Sequence, residues 1–194
     1  MKIEITEYSF FDDKIEIKLI KLIIDKLFFI EDPGKLCRLP YPGHPKGCPN
    51  WDKSPNCPPS APKLGDKYDL SKESFFVVNP FNIGEHKKKM KSAHPEWSDK
   101  QCACCLYWQN GVRKKLKEES QNFCCGLNLL YPELKYDFNL IPEAMGVDVF
   151  ETAKYHNIAI ERNPQNILYK VAFVGVIKID DHNNSTRAAA ESVG

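Results

Sequence analysis

Eight cysteines stand in three groups along 194 residues. Thiols gathered this way can ligate metal, pair as disulfides, or pack as small apolar side chains. Cys37, Cys48 and Cys57 share the stretch CRLPYPGHPKGCPNWDKSPNCPPSAP, residues 37–62, with eight of the chain's 14 prolines. That stretch has neither helical nor strand periodicity, so it cannot bury an apolar face. Its order must come from a cross-link or a metal. Cys48 and Cys57 each precede a proline, which keeps their backbone extended and lowers the entropy lost when ligands are gathered. The spacings Cys-x10-Cys and Cys-x8-Cys differ from the close Cys-x2-Cys knuckles of zinc ribbons.

The second group is Cys102-Ala103-Cys104-Cys105 and the third is Cys124-Cys125. Adjacent cysteines do not bond to each other without strain. The N-terminal MKIEITEYSFFDD is charged and alternating, unlike a secretory signal, and a chain of this length can build a core without staples. These points favour reduced, metal-binding thiols over disulfides. The expected ligand set is Cys37, Cys48, Cys57, Cys102, Cys105, Cys124 and Cys125, with Cys104 turned away from its neighbours as a core thiol. His44, between Cys37 and Cys48, reads first as an exposed loop histidine and second as a ligand.

The elements that must position these thiols can be read in outline. Met1 to Phe11 alternates like a strand. In Lys14 to Ile30, Ile20, Ile23, Ile24, Leu27 and Phe28 recur at helical spacing, after an alternating start at Ile15, Ile17 and Leu19. Glu31-Asp32-Pro33-Gly34 is a turn. Phe75 to Val78 is a buried strand ending at Asn79-Pro80, and Asn82 to Ala93 presents a lysine-rich face. Ser98 and Gln101 form a capping box for a helix from Asp99 to about Ser120. On that helix Cys102 and Cys105 share a face near the positive end of the dipole. Gly126 suggests a sharp turn or a close backbone approach. Asp148 and Glu151 have capping-box spacing, and Tyr169 to Ile179 is the clearest strand. Together they predict an α/β single domain over residues 1–180, a small mixed sheet flanked by helices with a Cys/Pro-rich metal-binding loop. Residues 181–194 read as a flexible tail.

Composition excludes several classes. A formal net charge of +1 gives no global field for nucleic acid or anionic membrane. The most apolar run, Leu19 to Ile30, is too short and too charged to span a bilayer, so a cytoplasmic protein is expected. No G-x-G-x-x-G or G-x4-G-K loop, G-x-S-x-G elbow or H-E-x-x-H motif occurs, and no histidine pairs recognisably with a cysteine nucleophile.

Two patches resemble a prokaryotic family of cysteine-rich proteins described as predicted metal-binding proteins of unknown function. Gly47-Cys48-Pro49-Asn50 with Cys57-Pro58-Pro59-Ser60-Ala61-Pro62 is similar to the family's C-P-N-Y-G-K…C-P-P-x-A-P. Pro142-Glu143-Ala144-Met145-Gly146-Val147-Asp148-Val149-Phe150-Glu151-Thr152-Ala153 is similar to its P-S-M-E-A-x-G-I-D-V-x-x-T-A. The resemblance runs from about Cys37 to Ile179. Trp51-Asp52-Lys53 departs from it, and the middle cysteines lack the family's Cys-x2-Cys elements close before the second motif. It implies metal binding through Cys48 and Cys57, and it implies no reaction.

Cysteine-only ligation points to zinc or iron–sulfur. Long spacing, Cys-Pro dipeptides and surplus thiols favour an iron–sulfur cluster of the 4Fe-4S type, with zinc as the alternative. Three loop thiolates can hold such a cluster and leave one iron open for redox or sulfur-related chemistry on a small molecule or nucleoside. A fourth cysteine from the second or third group would close the site and leave a structural or electron-transfer module. The partners expected are a small molecule or a redox protein, with no membrane. An RNA-associated role rests only on the lysines at 87–91 and 113–117.

Overall fold

The computed structural model describes residues 18–22, 26–40, 45–161 and 164–178. The strand expected at Met1–Phe11, His44 and the expected tail at 181–194 lie outside the described residues. Strand β1 (Lys18–Leu22) comes first. The short helices α1 (Lys35–Arg38) and α2 (Leu64–Lys67) flank the proline-rich stretch. Strand β2 (Ser74–Asn82) leads into helix α3 (Ile83–Ala93), short helix α4 (Asp99–Cys102) and a 3-10 turn at Cys105–Tyr107. The long helix α5 (Gln109–Leu130), β3 (Tyr136–Asn139), a 3-10 turn at Pro142–Met145, α6 (Val149–Tyr155) and β4 (Ile167–Val176) complete the order.

The architecture is the expected small α/β one, and its four strands form one sheet in the order β1-β2-β4-β3. Every neighbouring pair runs antiparallel, so the sheet is not the mixed one expected. The reason lies in the connections. The helices after β2 return the chain to the start of that strand, β3 then runs in the same sense as β2 without pairing to it, and β4 comes back antiparallel between them from the end where Asn82 faces Ile167 and the Gly84 N–H donates to the Asn166 carbonyl at 3.1 Å.

The central strands are apolar on both faces because both faces are covered. Phe76, Val78, Val171 and Phe173 pack with Leu64, Tyr68, Met145, Val147 and Val149 on one side. Val77, Ala172, Val174 and Val176 pack on the other with Leu116, Cys124 and Leu127 of α5. Full burial of each such side chain is worth about 1.5–3 kcal/mol relative to exposure.

Asn82 caps α3 by accepting from the Glu85 N–H at 2.8 Å. Ser98 and Gln101 make the expected reciprocal box on α4. Asp148 caps α6 through the Glu151 N–H at 3.0 Å.

Three segments differ from expectation. In the Lys14–Ile30 segment, β1 runs beside β2, in keeping with the alternating start at Ile15 to Leu19, while Ile23 and Ile24 of the expected helical face lie outside the described residues and Phe29 bridges Val147 rather than continuing a helix. The helix expected from Asp99 to Ser120 is broken after Cys102 and resumes at Gln109, then runs ten residues farther than expected, to Leu130. Gly126 lies inside that helix, and a Cβ added to it would meet no heavy atom within 4 Å, so neither a turn nor a close approach requires it. Among the described residues, no helix is long and apolar enough to cross a membrane.

Candidate metal centre

The proline-rich stretch is held mainly by short backbone hydrogen bonds. The Cys48 N–H donates to the Cys37 carbonyl at 2.7 Å, which draws the first two cysteines together. Gly47 makes this possible. Its φ is +84°, and a Cβ there would lie 2.4 Å from the Cys37 carbonyl oxygen. Downstream, the Trp51 N–H reaches the Cys48 carbonyl at 3.1 Å, and the Asp52 N–H reaches the Pro58 carbonyl at 3.1 Å. The Cys57 N–H donates to the Ser54 carbonyl at 3.0 Å, and the Cys57 carbonyl accepts from Ala61 at 2.9 Å. Pro49 and Pro58 fix φ just after Cys48 and Cys57.

Cys37, Cys48 and Cys57 are each half-buried. Burial raises the Cys37 pKa, the charges of Cys48 and Cys57 raise it further, and Arg38 lowers it. Like charges raise a thiol's pKa in this way, and a cation among them relieves it. Among the described residues, no three His, Cys, Asp or Glu side chains are gathered tightly enough to form a ready-made metal cage.

A cavity of about 290 Å³ adjoins this group. Trp51 packs over Gly34, where a Cβ would meet the indole at 2.4 Å. The Arg38 guanidinium lies over the same indole, 5.2 Å from its centroid, and forms an ion pair with Asp32. Asp32 also accepts from the Gly34 N–H at 3.0 Å, fixing the turn into α1. Pro58, Lys63, Ala144 and Met145 complete the lining used here. The second motif is therefore a wall of the site. Gly146 has φ +93° and stands 3.5 Å from Pro33 at its Cβ position, while its carbonyl accepts from the Ile30 N–H at 2.7 Å.

The other expected ligands lie elsewhere. Cys102 is buried where α4 meets α3, in the lining of a second cavity. Cys105 is exposed at the start of the 3-10 turn, so the face it was expected to share with Cys102 does not exist. The Trp108 indole N–H takes the Ala103 carbonyl at 3.2 Å, satisfying one group freed by the helix break. Cys104 is half-buried at that break. Neither Cys102 nor Cys105 sits at the start of a long helix, so the helix end expected beside them is not there.

Cys124 lies on the buried stripe of α5 formed by Val112, Leu116, Ser120, Cys124 and Leu127. Burial, then Asp137 and Cys125, push its thiol up to about 12, so it is protonated at neutral pH. Cys125, one position on, is exposed. The helix that carries this pair covers the sheet face opposite Met145.

The sequence singled out the three loop cysteines as candidates but not Asp32, Gly34, Arg38 and Trp51, which the fold places beside their stretch. Their only local signals were a turn motif and a tryptophan in place of a tyrosine. In comparisons with family models, curated proteins and solved structures, nothing matches the chain.

Proposed function

We propose that this chain holds a metal centre on the thiolates of Cys37, Cys48 and Cys57, and that the centre is an iron–sulfur cluster. The observation that carries the reading is that the Cys48 N–H to Cys37 carbonyl hydrogen bond brings two half-buried cysteines together, with Cys57 in the same stretch, where almost no apolar core exists to order the chain. Five other cysteines are distributed among a core helix, a helix break and the surface. Three thiolates suit a 4Fe-4S cluster with one iron not ligated by cysteine. When bound, such a group supplies a redox couple or a Lewis-acidic iron.

The chain's own residues have separable tasks. Gly47 lets Cys48 reach Cys37, and the prolines hold the second and third thiols on stiff backbone. Arg38 offsets the charge of gathered thiolates, and its pairing with Asp32 holds it beside them. Trp51, Pro58 and Met145 give the adjoining cavity apolar walls, and Lys63 gives it a cation. A small molecule entering there would meet an indole face and positive charge. The resemblance of both motifs to a metal-binding family supports the same reading, since the two motifs meet at this cavity.

Anaerobic purification followed by iron, acid-labile sulfide and zinc analysis tests it. Iron and sulfide in equal amounts, with a broad visible absorption lost in Cys37→Ser, Cys48→Ser and Cys57→Ser, is the expected result. A colourless protein with stoichiometric zinc and no sulfide would sink the cluster. Full metal retention in all three variants would move the centre away from this loop.

A further inference from the structure

The lysine-rich helix α3 forms more than a solvated face. A cavity of about 560 Å³ opens between α3, α4 and the entry to β4, well apart in chain position from the cysteine loop. Lys87, Lys88 and Lys91 line it with Asn166 and Asp99, and Cys102 lies in its lining, 1% exposed. Lys88 is paired with Glu85 at 3.0 Å. Lys87 instead donates to the Gln165 amide oxygen at 3.3 Å, and Lys91 donates to the Trp97 carbonyl. Among the described residues, neither Lys87 nor Lys91 pairs with a carboxylate. The cavity therefore carries excess positive charge, and its dimensions admit a phosphate group with part of a nucleoside.

Lys91 joins the cavity to an aromatic stack. His94 and Trp97 lie 4.0 Å apart at 9°, and Tyr107 continues the stack 5.2 Å from Trp97 at 28°. Tyr107 is 55% exposed and its neighbour Leu106 79% exposed. A basic cavity beside an open aromatic ring matches a strand with alternating charged and π-faced groups. Ammonium groups take backbone phosphates, and an exposed ring takes a base whatever its identity. Neither feature alone would distinguish a solvated helix or an ordinary surface tyrosine. Their junction at Lys91 is what selects this ligand.

We propose that this face binds single-stranded nucleic acid, with backbone phosphates in the lysine cavity and a base stacked on the exposed Tyr107 ring. The proposal does not depend on metal at the cysteine loop.

The test is fluorescence anisotropy of the full chain with labelled oligouridine across a potassium chloride series. Two phosphate contacts, from Lys87 and Lys91, predict a slope of log affinity against log salt of about −1.4. The double variant Lys87→Glu, Lys91→Glu should abolish most of that slope. Tyr107→Ala should weaken binding about tenfold and leave the slope unchanged. Far-UV circular dichroism verifies folding, and Lys91→Gln alone should lower the slope if the double variant does not fold. Salt-insensitive binding, no binding, or binding unaffected by these substitutions overturns the proposal. So does equal affinity for duplex RNA, or a site filled by ATP or inorganic phosphate that leaves oligouridine unbound.

Discussion

Replacing Gly47 by alanine should uncouple the first two cysteines without unfolding the domain. The added Cβ would lie 2.4 Å from the Cys37 carbonyl oxygen and 3.0 Å from the Arg38 carbonyl carbon, both backbone atoms that cannot rotate away. A positive φ costs an L-residue about 1–2 kcal/mol. Relieving the overlap also breaks the 2.7 Å hydrogen bond from the Cys48 N–H to the Cys37 carbonyl, a net loss of about 0.5–1.5 kcal/mol. Together these destabilise the gathered arrangement by about 1.5–3.5 kcal/mol, or roughly 10- to 400-fold in its population. The sheet and both buried clusters lie outside the loop, so the thermal midpoint of the metal-free protein should barely move. Competition with a chromophoric chelator, using cobalt as a spectroscopic probe, measures the affinity of the thiols directly. A fall of about 10- to 400-fold in Gly47→Ala, with the midpoint retained, is the expected outcome. A fall smaller than about threefold would refute the idea that this glycine sets the Cys37–Cys48 approach.

Other outcomes follow from the same structure. Gly126→Ala in α5, where nothing stands within 4 Å of the new methyl, should stabilise the protein by about 0.5–1 kcal/mol in urea titrations. Cys124→Ser puts a hydroxyl among Val77, Leu116 and Val174 and should cost about 1–3 kcal/mol, while metal stoichiometry stays at the wild-type value. Loss of metal in that variant would show that a cysteine of the helix completes the centre. Stability should also fall as the solution becomes acidic. His86 and His156 both sit below their ordinary value of 6.5, because burial disfavours the imidazolium, and Lys89 adds to this at His86. The unfolded chain then binds more protons in the window below 6.5, so stability is retained above that pH and declines beneath it. Urea midpoints across the window measure the decline, and a slope unchanged in His156→Phe would remove His156 from the account.

Much of the scaffold was legible because it rests on local pattern. The apolar runs containing Phe76-Val77-Val78 and Val171-Ala172-Phe173-Val174 are the two central strands. Ser98 and Asp148 cap the helices that their spacing announced. The loop thiols drew attention for the opposite reason, since a proline-rich stretch without periodicity needs another source of order. Where reasoning from the sequence went astray, adjacency had been weighed above period. Cys124-Cys125 looked like a chemical pair, yet Val112, Leu116, Ser120 and Cys124 continue one four-residue stripe straight into the core. The break at Ala103–Cys104 depends on a tryptophan five residues away closing over a carbonyl, which no propensity encodes. The cavity walls were invisible because Met145 comes to line the same cavity as Trp51 and Pro33 only after the chain has folded back over some hundred residues.

That last closure bears on how the protein is made. The segment just before the cysteine loop is pinned by Ile30 to the Gly146 carbonyl, by Asp148 to the Phe28 carbonyl and by Phe28 to the Thr152 hydroxyl. During synthesis the three loop cysteines emerge from the ribosome long before these anchors exist. The loop's entry strand is seated only after residue 152 has been added and α6 has formed. On the proposed metal-centre reading, loading of the thiols comes late, and a chain truncated ahead of Pro142 should take up metal poorly although it contains every loop cysteine.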